Sequence, residues 1–299
     1  MNNFLKDKII VPAWDMIKDD STAKKFYFIP WIFSVIFLTA ILVYQTIYTY
    51  VKIIWNNQDV VLKTILRFLE TDLWIKALIA GIIFLILYFL LTPIFEAGLV
   101  KYIDVKYKWW EISKSEAFWQ GLYRFLQVFE YNNIFSEFKI LSILNWYLFV
   151  IRFVWVEYIR ITNYVFLVIF VFWLFLNIVF AYSKFFLVLE NKNVFQSVWE
   201  SMKLAVLNPK NTVKLFFLIF ILNLRVILNF VVFLLFPILI VSAITYISMQ
   251  FLLYITLIWV SIVFVIAVLI IWYLTAVLDV FKVSLWYHAY VYWKKNSEK

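Results

Sequence analysis

Long apolar runs alternate with short polar, basic stretches along the whole chain, and that alternation predicts the elements. Runs near residues 26–51, 73–100, 140–158, 164–189, 213–236 and 251–278 approach or exceed the roughly 20 residues a helix needs to cross a hydrocarbon core. The stretch after Ser183 shows what lies between them. Val194, Phe195, Val198, Trp199, Met202, Ala205 and Val206 recur at helical spacing, Asn208-Pro209 interrupts, and an apolar run follows from Val213. That is an amphipathic interfacial helix feeding a membrane-spanning one. The same order precedes residues 26 and 140. The expected fold is therefore all-α and polytopic: about six transmembrane helices, with amphipathic interfacial helices on the cytoplasmic face.

Residues 1–25 read as a cytoplasmic amphipathic extension, with Lys6, Asp7, Lys8, Asp15 and Lys18 among Phe4, Ile9, Trp14 and Ile17. A cleavable signal would begin with a short basic stretch and an apolar core instead. Segments 101–139 and 184–212 read as cytoplasmic interfacial segments and 279–299 as an aromatic, basic tail. Ser113-Lys-Ser-Glu116 has the spacing of a capping box, Asn193 with Gln196 could act likewise, and Pro30 and Pro209 suit first helical turns. Pro237 divides an apolar run too long for one span. Trp14-Asp-Met-Ile-Lys18 resembles Trp199-Glu-Ser-Met-Lys203, with Trp119 a poorer middle member. A true internal repeat and convergence of surface helices on Trp, Lys and acids both explain the likeness.

Composition narrows the class. Of 299 residues, 66% are hydrophobic and 15% charged, against about 45–50% and 25% in soluble domains. With 3 Gly and 5 Pro the chain lacks the turn residues of a β-barrel. The net charge of +9 is dealt out between apolar runs, not gathered into a nucleic-acid patch, so anionic lipid headgroups are the expected partner, with a protein partner also open and nucleic acid excluded. Of the 27 Lys and Arg, 20 fall in residues 1–25, 101–139, 184–214 and 279–299, which six spans place on one side. By the positive-inside rule both termini are cytoplasmic. The absence of cysteine excludes disulfides and thiolate chemistry.

No motif identifies a reaction. Gly81, Gly98 and Gly121 are too scattered to cradle a phosphate, and His288 has no second histidine with which to hold zinc, so neither cofactor nor metal is expected. His288, between aromatic neighbours, reads as an interfacial side chain. Trp residues near span ends read as belt anchors, and so few glycines argue against tight small-residue helix contacts. The residues with a physical claim to function are polar groups at depth: Arg225 and Asn229 in the fifth span, and Arg152 and Asn145 in the third. Each needs a partner, and Asn177, Glu157, Glu96 and Asp279 are the candidates. A polar pathway and a structural clamp between helices are both open, the clamp favoured.

The break Asn208-Pro-Lys-Asn211 between interfacial helix and span at 193–236, and Glu96-Ala-Gly-Leu-Val-Lys101 closing the second span, resemble a group of bacterial six-helix membrane proteins. The group includes the membrane domain attached to some glycerophosphoryl diester phosphodiesterases, and stand-alone relatives. The resemblance implies a prokaryotic cytoplasmic membrane and no defined activity. With a single histidine here, the phosphodiesterase chemistry does not carry over. The expected function is a non-catalytic scaffold that engages lipid or a protein partner, with a transporter or channel subunit built around Arg225 as the alternative and an intramembrane enzyme behind both. Lipid contacts are expected at three pairs: Trp14 with Lys18, Trp119 with Arg124, and Trp199 with Lys203.

Overall fold

The computed structural model describes residues 3–28, 69–135, 140–151, 156–224 and 250–297, with a few single positions between them. All regular structure among them is helical. A short turn (Asn3–Leu5) and a π-helical turn (Lys6–Ile10) lead into α1 (Val11–Lys18), with Pro12 at its start, where an N–H is not needed. Residues 21–28 are helical again, and Asp20 caps them by accepting from the N–H groups of Thr22 at 2.8 Å and Ala23 at 3.1 Å. Then come α2 (Leu73–Tyr107), α3 (Lys114–Tyr123), α4 (Phe125–Phe135), α5 (Ile140–Ile151), α6 (Ile159–Phe180), α7 (Ser183–Leu189), α8 (Val194–Leu207), α9 (Pro209–Leu224) and α10 (Gln250–Ser297).

Among the described residues two stretches are long and apolar enough to cross a membrane, Leu73–Tyr107 and Ile159–Leu189, the latter made of α6 and α7 together. A third joins them if α8 and α9, bent by 105° at Asn208, count as one broken span. That is fewer than the six expected. The first expected span and the end of the fifth lie largely outside the described residues, and α5 covers only part of the third. The sixth falls within α10, where no Asp, Glu, Lys or Arg occurs from Gln250 to Leu278.

The long helices each have two zones. At 35 residues α2 rises about 52 Å, more than a hydrocarbon core of about 30 Å. From Leu73 to Leu90 its apolar side chains are largely exposed; from Pro93 to Asp104 most are buried. The same change occurs along α6 and α7, from exposed Tyr164, Leu167 and Val168 to buried Tyr182, Phe185 and Leu187, and along α10, from exposed Leu269 and Leu274 to buried Val280, Leu285 and Trp293. The buried zones pack with the segments expected at the interface into a single core. α1 buries Ala13 and Ile17 with α10 alongside, where Trp14 meets Phe281 edge-on at 5.5 Å and the Ser284 hydroxyl donates to the Ala13 carbonyl at 3.4 Å. α8 buries Val194, Ser197, Ser201, Leu204 and Ala205. The four basic segments thus form one packed body, and the amphipathic helices are packing elements with one free face.

Local chemistry sets the joints. The capping box forms as its spacing predicts: the Glu116 N–H donates to Ser113 Oγ at 3.2 Å and the Ser113 N–H to Glu116 Oε2 at 3.4 Å. Asn193 occupies the N-cap of α8 in extended conformation, but its side chain makes no capping bond. Between α6 and α7 the Ser201 side chain enters the helical ladder. Its Oγ donates to the Val179 carbonyl at 2.5 Å and accepts from the Tyr182 N–H at 3.0 Å, and a side chain inserted there interrupts the helix.

Glycine scarcity misled on one point, because two of the three glycines make a close crossing. α3 runs against α2 so tightly that a Cβ on Gly121 would lie 2.1 Å from the Ile94 carbonyl oxygen, and one on Gly98 would lie 2.7 Å from that of Ala117. Both obstacles are backbone, which cannot swing aside. Gly121→Ala should therefore lower stability by about 1–3 kcal/mol or more, whereas Gly81→Ala, with nothing within 4 Å of its Cβ position, should be neutral or slightly favourable. Thermal unfolding of the two variants in detergent checks this, and equal effects would contradict the crossing.

Candidate functional site

Of the polar groups expected at depth, Arg152, Arg225, Asn229 and the side chain of Asn145 lie outside the described residues. Asn177 donates to the Trp173 carbonyl of its own helix at 2.9 Å, and Glu157 is exposed in a short turn. Glu96 accepts from Lys184 at 2.6 Å and Asn132 at 2.8 Å; Asp279 pairs with Lys282, which also donates to Asn223. Of the three carboxylates named as candidate partners, Glu96 and Asp279 are thus engaged with lysines of the packed body.

Hydropathy gave no sign of a pair of carboxylate clamps. On α2, Tyr102 and Lys106 stand one turn apart and both donate to Asp20 Oδ2, the hydroxyl at 2.7 Å. On α10, Tyr290 and Lys294 stand one turn apart and both donate to Glu190 Oε1, the lysine at 2.7 Å, while Lys192 pairs with Oε2 at 3.0 Å. In each case the acid sits at a break between helices. Asp104 is held similarly, by the Tyr287 hydroxyl at 2.8 Å and Lys108 at 2.9 Å. The shared Tyr-x-x-x-Lys spacing at 102–106 and 290–294 was the available signal.

These contacts decide which charges survive burial. Burial opposes ionisation of Asp20, but bonds from Lys106, Tyr102 and the Ala23 N–H outweigh it and hold the carboxyl below the usual range. At Glu190 burial is likewise outweighed, by Lys294, Tyr290 and Lys192. His288 is buried, not interfacial as its neighbours suggested. Its Nδ1–H donates to the Ser284 carbonyl at 2.8 Å and its ring meets Tyr107 edge-on, and burial holds the imidazole below its ordinary 6.5 despite that bond. Among the described residues no group of three or more His, Asp or Glu is placed to hold a metal ion.

The free faces carry the expected interfacial residues. Trp14, Trp119 and Trp199 are 49%, 65% and 54% exposed on helices whose opposite sides are buried. The likeness of the first and third segments extends to their bonding: Lys18 pairs with Asp15 at 2.9 Å and Lys203 with Glu200 at 3.4 Å, each three residues back, and Lys203 lies over the Trp199 ring at 5.5 Å. Arg124 differs, stacking on Tyr123 at 5.3 Å and donating to Gln127 and Asn191. No family model, curated protein or solved structure matches this chain.

Proton linkage follows from the three perturbed groups. Asp20 and Glu190 have folded pKa values below their unfolded ones, so their contribution is full above the unfolded carboxylate range near pH 4 and is lost as pH falls through the folded values. His288, also depressed, disfavours the fold once pH drops below 6.5, because the unfolded chain then binds a proton that the buried ring resists. Stability in detergent should decline in two stages as pH falls, and His288→Phe should remove the upper stage only. A pH-independent midpoint between 7 and 5 for the parent protein would contradict this.

Proposed function

We propose that the chain is a non-catalytic integral membrane protein of six spans whose basic body lies against the cytoplasmic leaflet, with both termini on that side, and engages anionic lipid through its free aromatic faces. The observation that carries this reading is the union of the four basic segments in one body with Trp14, Trp119 and Trp199 turned outward. Segments that share a core share a side of the membrane, which agrees with the charge bias. Aromatic rings beside lysines suit the headgroup level, where each cation contributes about 1 kcal/mol near an anionic surface. The body serves as a platform for lipid or for a partner protein. The likeness to the bacterial six-helix group is consistent with such a role and adds no reaction to it.

The chain has no cysteine, so a single substitution gives a unique label. Trp199→Cys and Trp14→Cys, carrying an environment-sensitive fluorophore, should be quenched by headgroup-level lipid quenchers in phosphatidylglycerol vesicles. An impermeant maleimide should reach them in inside-out membrane vesicles and not in right-side-out ones. Labels that escape the lipid quenchers, or that react in right-side-out vesicles, would overturn the reading.

A further inference from the structure

The likeness of the segments around Trp14 and Trp199 extends to where each segment packs. α3 runs back along α2, the helix before it, with Ala117 opposite Gly98 and Gly121 opposite Ile94. α8 runs back along α7 and the end of α6: the Lys192 N–H ahead of it donates to the Phe186 carbonyl at 3.5 Å, and Ser201 bonds Val179 and Tyr182. α1 runs back along α10 in the same sense although no loop joins them, with Phe4 against Tyr292 at 5.1 Å and Trp14 against Phe281 at 5.5 Å. Two of these pairs also share their turn. Trp109 and Asn191, each two residues past the end of its helix, have φ of 64° and 59°, the only positive values among the described non-glycine residues. In both turns the next N–H reaches back to the helix, Trp110 to Val105 and Lys192 to Phe186. Convergence of surface helices on Trp and Lys explains neither the turn nor the choice of partner.

The three helices that carry these segments meet one another. Lys184 of α7 pairs with Glu96 of α2 at 2.6 Å, Phe185 of α7 stacks with Tyr290 of α10 at 5.4 Å, and Tyr107 of α2 meets Tyr287 of α10 edge-on at 5.4 Å. Each therefore carries one antiparallel outer helix. The outer tryptophans also stand at similar heights. Trp14 is level with Phe281, beyond exposed Leu274; Trp119 adjoins Phe118, whose ring meets Phe95, beyond exposed Leu90; Trp199 is two residues from Ser201, at Val179 and Tyr182, beyond exposed Phe175. At about 1.5 Å per residue each lies roughly 10 Å past its apolar zone, within reach of the headgroups.

We propose that the chain is three copies of one unit closed about a common axis, and that α1, α3 and α8 form a collar of three equivalent contacts on an anionic leaflet. The leaflet is the occupant because the collar follows directly on the exposed apolar zones. Each collar helix is antiparallel to a helix that leaves the membrane, so it is inclined toward the hydrocarbon and does not lie flat. The lipid partner rests on the preceding reading; the common depth and the common inclination come from the repeat.

The test places single fluorophore-labelled cysteines in the full chain at six exposed positions. One set is Trp14→Cys, Trp119→Cys and Trp199→Cys; the other, one turn on, is Lys18→Cys, Tyr123→Cys and Lys203→Cys. Their depths are read in phosphatidylglycerol vesicles doped with phosphatidylcholine that bears a nitroxide at the headgroup or at stepped acyl positions. The first set should share one depth and the second another, deeper by a common step of up to about 6 Å. Unequal depths within a set, or no step between the sets, would overturn the collar and leave lipid contact standing. Labels that escape every quencher defeat the preceding reading and the collar with it. Because all six side chains are exposed, a variant that lost the parent's thermal midpoint in detergent would contradict the packing on which the collar is built.

Discussion

Carboxylates at the helix breaks, buried at Asp20 and partly buried at Glu190, hold this structure in register. A carboxylate removed from water is unfavourable unless donors replace the lost hydration. Asp20, with its side chain only 4% exposed, finds four: two backbone N–H groups of the helix it caps, and the Tyr102 hydroxyl and Lys106 ammonium from α2. Because Tyr102 and Lys106 lie one turn apart, they meet the same oxygen in only one rotation of α2. Glu190 repeats the arrangement 100 residues or more from its partners Tyr290 and Lys294 on α10. The two clamps tie the N-terminal helices to α2, and the joint between α7 and α8 to α10. Rotating α2 would leave Asp20 with only its two backbone donors, and rotating α10 would leave Glu190 with Lys192 alone.

Helix length makes those clamps consequential for the membrane. α2 and α10 each outrun a hydrocarbon core by tens of ångströms at ~1.5 Å per residue, so each is one rod shared between an exposed apolar zone and the packed body. The body is thereby fixed relative to any membrane that covers the apolar zones. Much of the basic charge that composition assigns to headgroups is neutralised internally instead.

Hydropathy and charge made the helical class legible, as well as the Ser113 capping box and the break at Asn208-Pro209. Each is a local or additive property of the sequence. Lys101 to Tyr107 read as the start of an interfacial segment, yet α2 continues through it, because Asp104 finds Tyr287 on α10 and Lys106 finds Asp20, and a charged helix can then be buried. His288 was assigned to an interface for the same reason: aromatic neighbours in sequence do not reveal whether they enclose a ring or expose it. The Gly98 and Gly121 crossing involves residues 23 apart and left no periodic trace. Arg152 and Arg225, the polar residues the sequence singled out most sharply, lie outside the described residues.

If the Asp20 clamp fastens the body, Asp20 and Lys106 must be energetically coupled, which a double-mutant cycle measures. Asp20→Asn, Lys106→Met and the double variant would be compared by equilibrium unfolding in detergent at pH 7. Each single variant should be destabilised and the double variant should lose less than the two losses together, with a coupling of about 1 kcal/mol or more. Additive losses, or single variants as stable as the parent, would contradict it.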